Sequence, residues 1–155
     1  MNKDTRQALA LILAFWMPLA PCAQLHAASY VDPANEFAIC TNPAWQAYPA
    51  IHGSVVMWMD GRNGRSDIYG KDLSTNQEFP ICVYLSSKYW PRMYGKIVVW
   101  GDWRNGNSDI YGKDLSTGRE FPICISPGHQ IDQVIYDDIV VWQDGRNGNL
   151  VPHNI

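Results

Sequence analysis

Between residues 49 and 144 the chain alternates short apolar runs with tight polar turns. "IVVW" (97–100) is β-branched and aromatic, the composition strands favour. "RNGN" (104–107) follows, and an Asn-Gly pair between apolar runs is a strong hairpin signal. "DIYGKDL" (109–115) is the next strand, "STG" (116–118) the next turn and "EFPIC" (120–124) the third strand. Gly118, and Asn76 in the matching "STN" (74–76), are residue types that accept the left-handed backbone this turn needs. Pro122 and Pro80 have no N–H to offer, so their strand belongs at a sheet edge. A fourth strand, "RMY" (92–94), enters "IVVW" through "GK"; its counterparts are "AIH" before "GS" (53–54) and "VIY" before "DD" (137–138). The pattern predicts four-stranded antiparallel meanders. Gly, Pro and β-branched residues punctuate every segment, which speaks against helical repeats.

The meander recurs with a period of 42 residues. Trp58, Trp100 and Trp142 share it, as do Asp60, Asp102 and Asp144, and Arg62, Arg104 and Arg146. So do Cys40, Cys82 and Cys124. Residues 58–82 and 100–124 agree at 20 of 25 positions. Four strands per repeat of this length is the arithmetic of a β-propeller blade. The fold class expected is therefore all-β, with blades over about 49–90 and 91–132, a partial one over 133–155 and a lone outer strand at 36–40. Each blade in a propeller is covered on both faces. The repeated core is then Trp58, Trp100, Trp142, Tyr69, Tyr111, Ile68, Ile110, Phe79 and Phe121.

The repeat W-x-D-x-R-N-G-x-x-D-I-Y-x-x-D-L-S-T-x-x-E, at Trp58–Glu78 and Trp100–Glu120 with a third start at Trp142–Asn149, resembles the TolB-type β-propeller repeat. The variant it is similar to is common in surface and secreted proteins of archaea and bacteria. The resemblance covers nearly all of the chain beyond its first residues. It implies a propeller used as a periplasmic scaffold, a surface protein or an appended binding domain.

The count of blades is short. A propeller closes with about four to eight, and the 155 residues hold at most three repeats. The half-blades at the two ends can share one blade, but on the sequence pattern its third strand is missing. After Asn149 the repeat breaks off into "LVPHNI". Truncation of a longer propeller is the favoured expectation; a homo-oligomer that completes a ring is the next. An open array is disfavoured, because it leaves an apolar face and an unpaired strand edge in water.

The N-terminus has the three parts of a secretory signal: Lys3 and Arg6, the apolar run "ALALILAFWMPLA", then small residues. Residues 1–28 are read as a leader removed near Ala27 or Ala28. Leu19, three residues ahead of Cys22, raises lipoprotein processing; Pro21 argues against it. Beyond the leader no stretch is long enough for a helical membrane span. The expected location is periplasmic, secreted or at the cell surface. A net charge of −3 gives no electrostatic footprint for nucleic acid.

Candidate chemistry is sparse. Asp60, Asp67, Asp102 and Asp109 recur in the turns and suggest a calcium loop, but Arg62 stands where an oxygen ligand belongs. Pairing of these carboxylates with arginine or backbone N–H groups is the stronger expectation. Trp103 replaces Gly61 and Gly145 in the turn region, so it is expected to be more exposed than the repeated tryptophans and is the best candidate ligand contact. The three periodic cysteines are read as small, semi-buried side chains too far apart to bridge within one chain; any exposed thiol points to cross-linking between chains. No nucleophile elbow, phosphate loop or zinc set is found, and no cofactor is expected. The functional reading is an exported, non-catalytic binding or scaffold module with a protein or glycan partner. The alternatives are a fragment without independent function, and a hydrolase or lyase acting on glycans.

Overall fold

The computed structural model of the chain describes residues 25–29 and 32–148, with side chains from residue 36 onward. The apolar run of the leader, Cys22 and the break after Asn149 lie outside the described residues. Among the described residues twelve strands follow one another: β1 (Leu25–Ser29), β2 (Asp32–Cys40), β3 (Gln46–His52), β4 (Val55–Asp60), β5 (Asp67–Asp72), β6 (Gln77–Cys82), β7 (Lys88–Tyr94), β8 (Ile97–Asp102), β9 (Asp109–Asp114), β10 (Glu120–Cys124), β11 (Gln130–Tyr136) and β12 (Ile139–Asp144). They form two four-stranded antiparallel sheets, β3-β4-β5-β6 and β7-β8-β9-β10, and two two-stranded sheets, β1-β2 and β11-β12. The chain is all-β and made of propeller-type blades, two complete and two half.

The turn chemistry works as expected. Asn76 and Gly118 both have positive φ, at 59° and 72°. Pro80 and Pro122 lie on β6 and β10, the sheet edges. The innermost strand is longer than the three residues the pattern marked. It begins at Gln46, Lys88 and Gln130, and in each copy a bulge interrupts it. The bulge carries a non-glycine residue in the left-handed region at Tyr48, Trp90 and Asp132, again 42 residues apart. An extra residue there bends the strand and re-aims its side chains, so no regular alternation marks its first half in the sequence.

β4 is buried at all six positions. The reason is that its two faces meet two neighbours. Val55 and Met57 pack with Met93, Val98 and Trp100 of the next blade. Val56 and Trp58 pack with Ile39 and Cys40 of β2. Face-to-face packing of this kind removes the polar-out alternation of a one-sided sheet. The inner strands lie together, with β7 against β3 on one side and β11 on the other.

One segment departs from the sequence reading. Leu25–Ser29, assigned there to the end of the leader, forms β1 and pairs with β2. The hairpin repeats β5–β6 and β9–β10 closely. Leu25 stands opposite Cys40 as Ile68 stands opposite Cys82 and Ile110 opposite Cys124. Ala27 faces Phe37 as Gly70 faces Phe79 and Gly112 faces Phe121. The same irregularity separates these pairs in all three hairpins. The third strand that the sequence pattern left missing from a shared blade is therefore present.

Candidate functional site

The Trp-x-Asp-x-Arg motif closes on itself at the end of each second strand. Trp58 Nε1 donates to Asp60 Oδ2 at 2.8 Å, and Trp100 Nε1 to Asp102 Oδ2 at 3.0 Å. The Arg62 backbone N–H and guanidinium donate to the same Asp60 carboxylate, and Arg104 does likewise to Asp102. Both carboxylates are fully buried. Burial alone raises their pKa, but the bonds from arginine and tryptophan outweigh it and hold both below the usual range. The arginines lie over the Tyr69 and Tyr111 rings at 3.9 and 4.0 Å. They also pair with Glu78 and Glu120 on the edge strands.

Each arginine reaches one blade back. A guanidinium nitrogen of Arg62 is 3.4 Å from Cys40 Sγ, that of Arg104 4.0 Å from Cys82 and that of Arg146 3.7 Å from Cys124. Lysines cross the first two of these seams: Lys71 donates to Ile39 O and Lys113 to Ile81 O. The motif is thus a lock between blades. The three cysteines are free and buried rather than exposed, so they are not placed to cross-link chains.

The other two aspartates are equally occupied. Asp67 accepts from Asn63 and Lys88 and pairs with Arg65; Asp109 accepts from Asn105 and Asn107. All four carboxylates of the calcium reading therefore face donors of this chain. Among the described residues no group of His, Cys, Asp and Glu converges as a metal site.

Trp58 and Trp100 have no exposed surface, whereas Trp142 on the last half-blade is half-buried. Tyr111, Ile68 and Ile110 are buried; Tyr69, Phe79 and Phe121 are half-buried at the seams. Trp103 is more exposed than Trp58 and Trp100. It is half-buried, and its ring packs on His129 of the next blade with centroids 5.1 Å apart. The reason is a size exchange across one backbone bond. Gly61 N donates to Trp45 O, Trp103 N to Ser87 O and Gly145 N to His129 O. A large side chain stands on one partner and a small one on the other, and the Trp45 ring fills the space a Cβ at Gly61 would need.

Two periodic sets escaped the sequence reading. Gln46, Lys88 and Gln130 start the inner strands, fully or almost fully buried, and each clasps carbonyls of the loop just before it. At the other end of the same strands stand His52, Tyr94 and Tyr136. Their rings form a ladder, with centroids 4.9 Å apart at both steps and tilts of 55° and 52°. Tyr136 is 72% exposed and His52 is exposed, while Tyr94 between them is half-buried. The Tyr94 hydroxyl is pushed above its usual pKa, first by its neighbour Tyr136 and then by desolvation. Because inner strands surround the axis of such a fold, the ladder borders one axial mouth. Trp103 sits at the opposite end of its blade.

No family model and no curated protein matches this chain. Solved structures do. The crystal structure of TolB from Acinetobacter baumannii matches with a TM-score of 0.58 at 23% identity, over 71% of this chain and 28% of that one. A putative TolB from Agrobacterium tumefaciens matches with 0.54 at 13%, over 64% and 40%. The tricorn protease matches with 0.52 at 15%, over 70% and 11%. This chain spans well under half of each. At these identities the likeness is one of fold: these are blades of the kind that build the TolB and tricorn propellers.

Proposed function

We propose that the chain is an exported, non-catalytic β-propeller module that binds sugar rings of a glycan at the axial mouth bordered by His52, Tyr94 and Tyr136. The observation that carries this reading is the ladder itself. A tilted row of three rings, one of them 72% exposed, offers π faces, and the two tyrosines carry a hydroxyl at the rim. The same blades hold their repeated carboxylates in seam contacts, which supports binding rather than acid–base chemistry. Export rests on the leader-like N-terminus.

The test is calorimetric titration of the protein with soluble oligosaccharides of neutral and acidic type. Tyr136→Ala is expected to weaken binding about fivefold to tenfold, the worth of one aromatic contact, without changing the unfolding midpoint. Binding that is unaffected by Tyr136→Ala and His52→Ala argues against this mouth.

A second reading has its own support. The loop after β6 exposes Val83, Tyr84 and Leu85, the last by 81%, and the equivalent loop after β10 exposes Ile125. Such a stripe suits a protein partner.

A further inference from the structure

We propose that Asp109, Asn107 and Gln130, with the backbone carbonyls of Ser126 and Gly128, form a calcium site at the start of β11. The observation is one oxygen cage seen in two successive copies of the repeat. In the earlier copy Lys88 Nζ donates to Asp67 Oδ1 at 3.2 Å, to Ser86 O at 2.6 Å and to Tyr84 O. Arg65 brings a second cation, its Nε 3.3 Å from Asp67 Oδ1 and 3.0 Å from Tyr84 O. The Asp67 and Lys88 side chains have no exposed surface. A carboxylate buried in this way is tolerated because it is paired.

Forty-two residues on, the oxygens are kept and both cations are replaced. Asp109, Ser126 O and Gly128 O stand where Asp67, Tyr84 O and Ser86 O stood, while Lys88 becomes Gln130 and Arg65 becomes Asn107. The oxygens still converge. Asn107 Nδ2 lies 2.9 Å from Asp109 Oδ1, 2.5 Å from Gly128 O and 3.4 Å from Ser126 O. Gln130 Nε2 lies 3.2 Å and 3.3 Å from the same two carbonyls. Asp109 is 1% exposed, and its side-chain donors are the neutral amides of Asn105 and Asn107. Among the described residues no lysine or arginine pairs with it.

A second observation points the same way. Gln130 has no exposed surface, its amide sits in the cage, and its Oε1 has no hydrogen-bond partner. A half-turn of a side-chain amide exchanges its oxygen and nitrogen. Turned so, Gln130 and Asn107 bring two more oxygens to the carboxylate and the two carbonyls. Oxygens gathered without a donor repel one another, so this arrangement needs a cation at its centre.

The chemistry selects the ion. Calcium takes six to eight oxygens from carboxylates, backbone carbonyls, amide side chains and water, at about 2.3–2.6 Å. The cage offers five, and Gly128 is exposed, so water reaches its outer side. A divalent ion also restores both of the charges lost with Lys88 and Arg65. Potassium restores only one. Magnesium demands near-octahedral ligands at about 2.0–2.1 Å, tighter than a cage that holds an ammonium in the earlier copy. The site lies at the end of β11 opposite Tyr136 and does not depend on what the aromatic mouth binds. Filling it ties the loop 125–129 to β9.

The experiment uses the full chain, stripped with chelator and titrated calorimetrically with calcium chloride. One ion per chain is expected, with Kd on the order of 0.1–1 mM, the range of extracellular calcium modules. Saturating calcium is expected to raise the thermal midpoint, as any ligand of the folded state does. Magnesium chloride, and potassium chloride at equal ionic strength, are expected to leave it in place. Asp109→Asn is expected to lose the binding heat. The pair Asn107→Arg with Gln130→Lys rebuilds the cations of the earlier copy, and is expected to fold without calcium and to show no calcium shift. No calcium heat in the parent chain, an equal shift with magnesium or potassium, or a calcium shift retained in the pair variant overturns the proposal.

Discussion

The Arg104 guanidinium lies 4.0 Å from Cys82 Sγ, across the seam between one blade's turn and the outer strand of the blade before it. The same residue pair recurs at Arg62 with Cys40 and at Arg146 with Cys124. Burial pushes the Cys82 thiol up to about 11, the Glu120 charge adding to it. A thiol so held is a poor nucleophile at neutral pH. Alkylation of native protein at pH 8 is therefore expected to spare Cys82 and Cys40, with both labelled once denaturant opens the seam. Rapid labelling of Cys82 in the native state contradicts the lock.

Trp100 and Trp103 separate core from periphery. Trp100 has no exposed surface, so Trp100→Ala is expected to destabilise by about 3–5 kcal/mol, as large-to-small core changes do. Trp103 has the alternative residue, glycine, at both equivalent positions, and is half-buried. Trp103→Ala is expected to cost roughly 1 kcal/mol, near the centre of the range for point mutations. Urea denaturation of the two variants reads the difference.

The buried carboxylate matters more than the half-buried one. Asp102→Ala strands the Trp100 N–H and one side of Arg104, and is expected to cost about 3 kcal/mol, the low end for breaking a buried pair because Glu120 still holds the arginine. Asp144 makes the same bonds on the half-blade, where its side chain is 23% and Arg146 47% exposed. Asp144→Ala is expected to leave the midpoint close to that of the parent chain. Thermal melts of both variants check the ordering.

Acid should open the seams. Asp60 and Asp102 are held below the usual carboxylate pKa in the fold. Depressed carboxyls contribute stability that is complete above their unfolded pKa, about 4, and is lost as pH falls through the lower folded values. The urea midpoint is expected to be flat from about pH 7 to pH 5 and to drop below pH 4. Asp102→Asn should flatten that drop. A midpoint that rises on acidification contradicts the assignment.

Much of this was legible in the sequence, for stated reasons. Turn residues such as Asn76 and Gly118 and edge prolines such as Pro80 act locally, so spacing alone placed them. The period of 42 also placed Trp58 and Trp100 in the core, because identical residues in register repeat one environment. The aromatic mouth was harder. His52, Tyr94 and Tyr136 share the period but not the residue type, and they sit at the ends of strands whose bulges hide the alternation. β1 was hidden by composition: "LHAAS" reads as leader, and only pairing with β2 shows that Leu25 and Ala27 take the places of Ile68 and Gly70. The partial cover of Trp103 was not legible, because exposure in a turn depends on what the neighbouring blade offers, here His129.

The central claim is that the repeated motif holds the blades together while the aromatic mouth does the binding. The most direct measurement takes Trp100→Ala and Tyr136→Ala side by side, recording an unfolding midpoint and an oligosaccharide titration for each. The account predicts a large loss of stability for the first, and for the second a loss of affinity at unchanged stability. A stable Trp100→Ala variant that has lost binding, beside a Tyr136→Ala variant that binds normally, contradicts it.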